Sequence, residues 1–222
     1  MRLLLIRHGQ TPSNVDGLLD TTIPGPALTE LGLRQAAAVP EAIAQERVDA
    51  IYASTMQRTQ LTAAPLATAR GLEVRVREGL HEISAGGLEM LNDTVSHDTY
   101  MRTVFDWGLG RLDVAMPGGP DGHDFFTRFD TAIERIVAEG HDAAVVVSHG
   151  AAIRLWASTR AENLDGEFGG SHPLQNTGLV VLTGDPATGW FAEVWNSQPV
   201  AGPAYADSAD DDPTGELVEA QG

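Results

Sequence analysis

Along the chain, short apolar runs alternate with longer stretches in which apolar residues recur every three or four positions. The runs at Arg2–Ile6, Val48–Ala53, Val74–Arg77, Ala143–Val147, Leu179–Leu182 and Trp190–Trp195 read as strands. Between them lie helical patterns. The first starts near Thr29 and places Leu33, Ala36, Ala37, Ile43 and Ala44 on a helical period. The second starts at Ser54 or Thr55, either of which suits an N-cap, and stops at Gly71, which suits a left-handed C-terminal residue. A third covers about Asp124–Glu139, and a fourth follows "SHGAA" to around Arg160. Pro40 and Pro65 fall inside the first two patterns and predict a kink or break there, because proline lacks the N–H a helix interior needs.

Strands that alternate with helices, and that are apolar almost throughout as in "AAVVV", predict a sheet covered on both faces. The expected fold is a three-layer α/β/α arrangement with a mostly parallel central sheet. The last two strands, joined by "GDPATG", predict an antiparallel edge. Residues 88–117 look irregular despite Tyr100, Met101, Phe105 and Trp107, and are expected to form a small cap or lid. From residue 203 onward the chain carries six acids, no base and few large apolar groups, so a disordered tail is expected over 203–222.

Composition narrows the partners. The formal net charge is −17, which argues against nucleic acid and against anionic lipid, both of which call for a basic face. No apolar run approaches the roughly 20 residues of a membrane-spanning helix, and "MRLLLI" is too short for the apolar core of a leader. With no cysteine there is neither a disulfide framework nor a thiolate nucleophile, which fits a cytoplasmic setting. All 14 basic residues are arginine, so any anion site must use the two-pronged guanidinium.

Candidate chemistry gathers just past strand ends, where open α/β sheets bind ligands. "IRHGQTPSN", "ASTMQRT", "LHEISAGGLE" and "VVSHGAAIR" follow the first four strands and offer Arg7, His8, Asn14, Arg58, Glu82 and His149. Thr11 followed by Pro12 predicts a helix start whose N–H groups would face the same spot and suit an anion. The remaining histidines show no ligand spacing, and "HEISA" lacks the second histidine of a zinc helix. No metal site and no cofactor is expected.

These segments resemble the histidine phosphatase superfamily, also called the phosphoglycerate mutase-like family. "RHGQTPSN", "LTELGLRQA", "STMQRTQLTA", "EISAGGLE", "VVVSHGAAIR" and "QNTG" match its motifs in the correct order, from Arg2 to about Asn196. The resemblance implies one such domain over residues 1–200. It implies that His8 attacks phosphorus and becomes a phosphohistidine, with the Gly9 carbonyl fixing its tautomer. Arg7, Arg58 and His149 would hold the phosphoryl oxygens with help from Asn14, and Glu82 would protonate the leaving oxygen. Three departures border the mouth of the site. Leu88-Glu89-Met90 replaces the family's Trp-Glu-Gly, "GGPDGHD" replaces its Gly-Gly-Glu-Ser, and "DTTIPGPALT" is longer and richer in proline than the usual linker.

The expected function is therefore a metal-independent phosphomonoesterase acting on a small phosphorylated metabolite. One alternative is a phosphoglycerate mutase using 2,3-bisphosphoglycerate; such mutases carry a tryptophan in the stretch after the asparagine, and Val15–Ala27 has none. A second is a non-catalytic phospho-ligand-binding protein, against which nucleophile, arginines, acid and second histidine all stand. Only Arg102 and Arg111 are basic within 88–117, which points to a monophosphate with a neutral or apolar body. A homodimer is compatible with the chain, but oligomeric state is not legible in it.

Overall fold

A computed structural model describes residues 1–206 and 214–215. Six strands form one sheet: β1 (Arg2–Arg7), β2 (Ala50–Ala53), β3 (Val74–Val76), β4 (Ala143–Ser148), β5 (Leu179–Asp185) and β6 (Gly189–Asn196). Their order is β3-β2-β4-β1-β5-β6. The β1–β4, β4–β2 and β2–β3 pairs are parallel, whereas β5 runs antiparallel to β1 and β6 antiparallel to β5. The mostly parallel sheet with an antiparallel edge is thus as the pattern predicts.

Helices cover both faces because β1 is apolar on both. Leu3 and Leu5 pack into one core with Phe125, Phe129 and Trp156. Leu4 and Ile6 pack into the other with Val39, Ile43 and Leu66. Side chains alternate across a strand, so this run of leucines needs two cores and receives them. The first core is closed by α4 (Thr94–Gly108), α5 (Gly122–Ala138) and α6 (Gly150–Arg160), the second by α2 (Glu30–Ala42) and α3 (Gln57–Arg70). Short helices α1 (Pro12–Val15) and α7 (Phe168–Ser171) complete the layers. No helix among the described residues is long and apolar enough to cross a membrane.

The structure departs from the sequence pattern at several points. Half of the segment 88–117, expected to be irregular, is the helix α4. Asp93 caps α4 by accepting from the Ser96 N–H at 3.0 Å, and Tyr100, Met101, Val104, Phe105 and Trp107 turn one face of that helix into the core. Next, α3 starts at Gln57, after an N-cap at Met56 that makes no side-chain bond. The Ser54 hydroxyl serves the site instead, as described below. Both α2 and α3 run through their prolines, near the end of the first and mid-way along the second, with Gly71 left-handed (φ 64°) after α3 as expected. The tail expected to be disordered lies largely outside the described residues, but at 203–206 and 214–215 its backbone finds partners on the body. Gln35 Nε2 donates to the Tyr205 carbonyl at 2.8 Å, and the Leu174 N–H donates to the Gly215 carbonyl at 2.8 Å.

Candidate active site

The site forms where β1 and β4 end side by side. Arg7 pairs with Ser148 in the ladder, and the next backbone N–H, that of His8, donates to the Ser148 carbonyl at 3.0 Å. His8 and His149 therefore leave neighbouring strands together, with ring centroids 5.2 Å apart. His8 Nδ1 lies 2.8 Å from the Gly9 carbonyl. A carbonyl can only accept, so Nδ1 carries the hydrogen and Nε2 holds the lone pair. Burial, then the Arg58 and Arg7 charges, push the His8 imidazole well below its ordinary value, which keeps it neutral.

The loop after β1 is pinned from several sides. Thr11 caps α1 by accepting from the Asn14 N–H at 3.2 Å, while Asn14 Oδ1 accepts from the Thr11 N–H at 2.9 Å. That reciprocal bond leaves the Asn14 amide nitrogen to donate elsewhere. Gly9 comes so close to α2 that an added Cβ would stand 2.7 Å from the Gly32 carbonyl oxygen. On the other side Asn176 Nδ2 donates to the His8 carbonyl at 3.0 Å, and the Thr177 N–H donates to the Arg7 carbonyl at 3.1 Å. Thr177 adopts a left-handed φ of 59°, a strained conformation for a β-branched residue.

Arg58, from the first turn of α3, reaches the same place. Its Nε donates to His149 Nδ1 at 3.3 Å and its Nη2 to the Asp20 carbonyl at 3.0 Å. His149 Nδ1 thus accepts, and its Nε2 carries the hydrogen toward Ser54 Oγ at 2.8 Å. Burial, then Arg58 and His8, hold the His149 imidazole far below its usual value. Glu82 stands at the N-terminus of α6. One carboxylate oxygen accepts from the Ile83 and Ala152 N–H groups at 2.9 Å, the other from Ala151 at 3.2 Å. Burial raises the Glu82 carboxyl above its ordinary value despite these three donors and Arg58, which pull the other way.

His8, Asn14, Arg58 and Glu82 line one small cavity, joined by Asp20 and Thr214. Arg7 and His149 are not among the residues that line it; they touch lining residues, Thr214 and Arg58 respectively. The Arg7 guanidinium donates to the Leu174 carbonyl at 2.8 Å and to Thr214 Oγ1 at 3.0 Å. With Thr214 in place the cavity measures only about 10 Å³, room for roughly one water. No group of three or more His, Asp or Glu among the described residues is arranged to hold a metal ion.

Sequence reasoning missed four contributors. Ser54 reads as a helix cap but bonds His149; Asn176 belongs to a matched motif without a role having been given to it. Arg128 donates to the carbonyls of Gly79 and His81 at 2.7 Å and of Glu82 at 2.9 Å, bracing the loop that carries the carboxylate. Thr214 lay in the stretch expected to be disordered. Glu89 gives structural support, accepting from the Thr21 and Thr22 N–H groups at 2.8 and 3.0 Å.

Two strand-end histidines, Arg58 and a buried carboxyl thus meet in one region of the fold. The chain matches the profile of the histidine phosphatase superfamily (branch 1) over residues 3–198. The chain belongs to that superfamily. This histidine phosphatase is 32% identical to the adenosylcobalamin/alpha-ribazole phosphatase of Escherichia coli over 70% of its own length and 76% of that protein's. It is 37% identical to the PE-PGRS family protein PE_PGRS11 of Mycobacterium tuberculosis over 92% of its length, and spans 38% of that relative. In structure it superposes on a mycobacterial glucosyl-3-phosphoglycerate phosphatase complexed with VO3, with a TM-score of 0.74 and 26% identity over 89% of this chain and 99% of that one. By class, then, this histidine phosphatase is a phosphoric monoester hydrolase.

Proposed function

We propose that the enzyme hydrolyses a small phosphomonoester without metal, through a phosphohistidine at His8. The observation that carries this reading is the Gly9 carbonyl bond to His8 Nδ1, which leaves the Nε2 lone pair in one cavity with Arg58 and Glu82. Nε2 attacks phosphorus in line, the N–P bond forming as the ester P–O bond breaks. The departing oxygen takes the proton of the Glu82 carboxyl. Glu82, now ionised, accepts a proton from water as that water attacks the phosphohistidine, and the N–P bond breaks to release phosphate and restore His8.

Charge in such transfers accumulates on the three equatorial oxygens, so catalysis is mainly positioning and cationic stabilisation. Arg58 and the Asn14 amide are placed to hold those oxygens. Arg7 and His149, which touch lining residues, reach them once Thr214 gives way and the His149 tautomer exchanges. The two arginines supply the charge a metal would otherwise bring, and the neutral His149 adds a hydrogen bond. The names of the relatives above, each a phosphatase of a phosphorylated metabolite where an activity is named, support the substrate class.

Trapping tests the mechanism. Brief incubation with a labelled phosphoester, followed by denaturation, should leave acid-labile, base-stable label on the wild type and none on His8→Ala. Label that persists on His8→Ala would place the covalent step elsewhere.

A further inference from the structure

Beyond the small cavity, a cleft of about 550 Å³ opens at the carboxyl ends of β2 and β3. In the sheet order β3-β2-β4-β1 it stands beside the strand end that carries His149, one strand away from that of His8. Three chain segments supply a residue to each space: Asp20 and Ile23, Arg58 and Thr55, Glu82 and His81. The volume suits a small metabolite.

Two residues that line the cleft, His81 and Thr55, each hold a buried polar atom with no hydrogen-bond partner, Nδ1 and Oγ1. Buried polar groups are nearly always satisfied, so an orphaned pair beside a reaction centre points to a ligand that satisfies them. The charge balance says what kind. Glu78 and Asp124 offset Arg128 and Arg135 on the lining, and the Arg128 guanidinium is already spent on three backbone carbonyls. The lining therefore carries no net charge from its arginines and carboxylates, which favours a neutral group over a second phosphate or a carboxylate. Burial and the Arg128 charge hold His81 down to about 4, so its ring is a neutral hydrogen-bonding group at neutral pH.

We propose that this cleft receives the alcohol half of the ester, and that this half is a neutral polyhydroxylated body, a sugar or polyol, anchored by His81 and Thr55. The proposal rests on reading the adjacent cavity as the phosphoryl site. It deepens that reading by assigning the leaving group.

The test compares kcat/KM for hexose and pentitol monophosphates with kcat/KM for phenyl phosphate. The wild type should favour the polyol esters by about tenfold or more. Thr55→Val and His81→Phe should each cut that ratio about tenfold, mainly through KM, as the loss of one hydrogen bond does. His81→Gln, which keeps a hydrogen-bonding group, should retain more of the preference than His81→Phe. A wild type that prefers phenyl phosphate, or a ratio unmoved in all folded variants, overturns the proposal while leaving the phosphohistidine intact. A wild type that forms no phosphohistidine and hydrolyses neither ester removes the phosphoryl-site reading and this proposal with it.

Discussion

Glu82 and His8 are displaced in opposite directions, and the pH profile follows from that. In the proposed reaction His8, the nucleophile, must be deprotonated and Glu82, the acid, protonated. Burial and two arginines depress His8, so the acid limb of kcat/KM falls below the ordinary imidazole value of about 6.5. Burial raises Glu82, so the alkaline limb falls above the ordinary carboxyl value of about 4.3. An acid limb centred at about 6.5 would contradict the depressed imidazole. Glu82→Gln should abolish the alkaline limb and slow alkyl esters by roughly 10²–10⁴, the usual range for general acid help. Aryl esters, whose leaving group needs little protonation, should lose much less; equal losses on both would deny Glu82 its role as acid. Most of these residues were legible in the sequence, since strand ends in a parallel sheet converge whatever the loops do. Arg128 was not, because an arginine on a helix gives no sign that it will bond three carbonyls of a distant loop.

At the level of whole elements, α5 acts as a brace. It begins at Asp121, which stands where the family has serine and still caps the helix, accepting from the Asp124 N–H at 3.0 Å. Two turns on, Arg128 lies over the Phe125 ring at 5.0 Å and grips the Glu82 loop. Arg128→Met keeps the stem but loses all three bonds, and small displacements of a reacting group can cost about 10² in rate. The expected outcome is a kcat reduced roughly 10- to 100-fold, with the binding of vanadate less affected. A loss confined to thermal stability would make the contact merely structural. Elements also show where sequence patterns mislead. The α4 face was present in the spacing of Tyr100, Val104 and Trp107, but the polar Asn92–His97 entry hid its start. In α3, Ser54 had the chemistry of a cap, and burial beside His149 gave its hydroxyl a different partner.

Across the whole molecule, the chain's own Thr214 lines the cavity in which His8, Arg58 and Glu82 meet, the space the proposed reaction assigns to the phosphoryl group. A protein ending at Ala206 removes that competitor, and vanadate should then inhibit it severalfold more tightly than the full chain. Equal inhibition constants would show that Thr214 leaves the cavity free in solution. The two central strands set a different kind of limit. His8 and His149 each follow the last residue of adjoining strands, and their ring spacing of 5.2 Å nearly matches the 4.7–4.9 Å between hydrogen-bonded strands. The gap between the two imidazoles is thus dictated by the ladder's own repeat, as rungs fix the width of a staircase. Point changes on the surrounding loops can redraw what the cleft admits, but the interval between the two rings will stay as it is until the middle of the sheet comes apart.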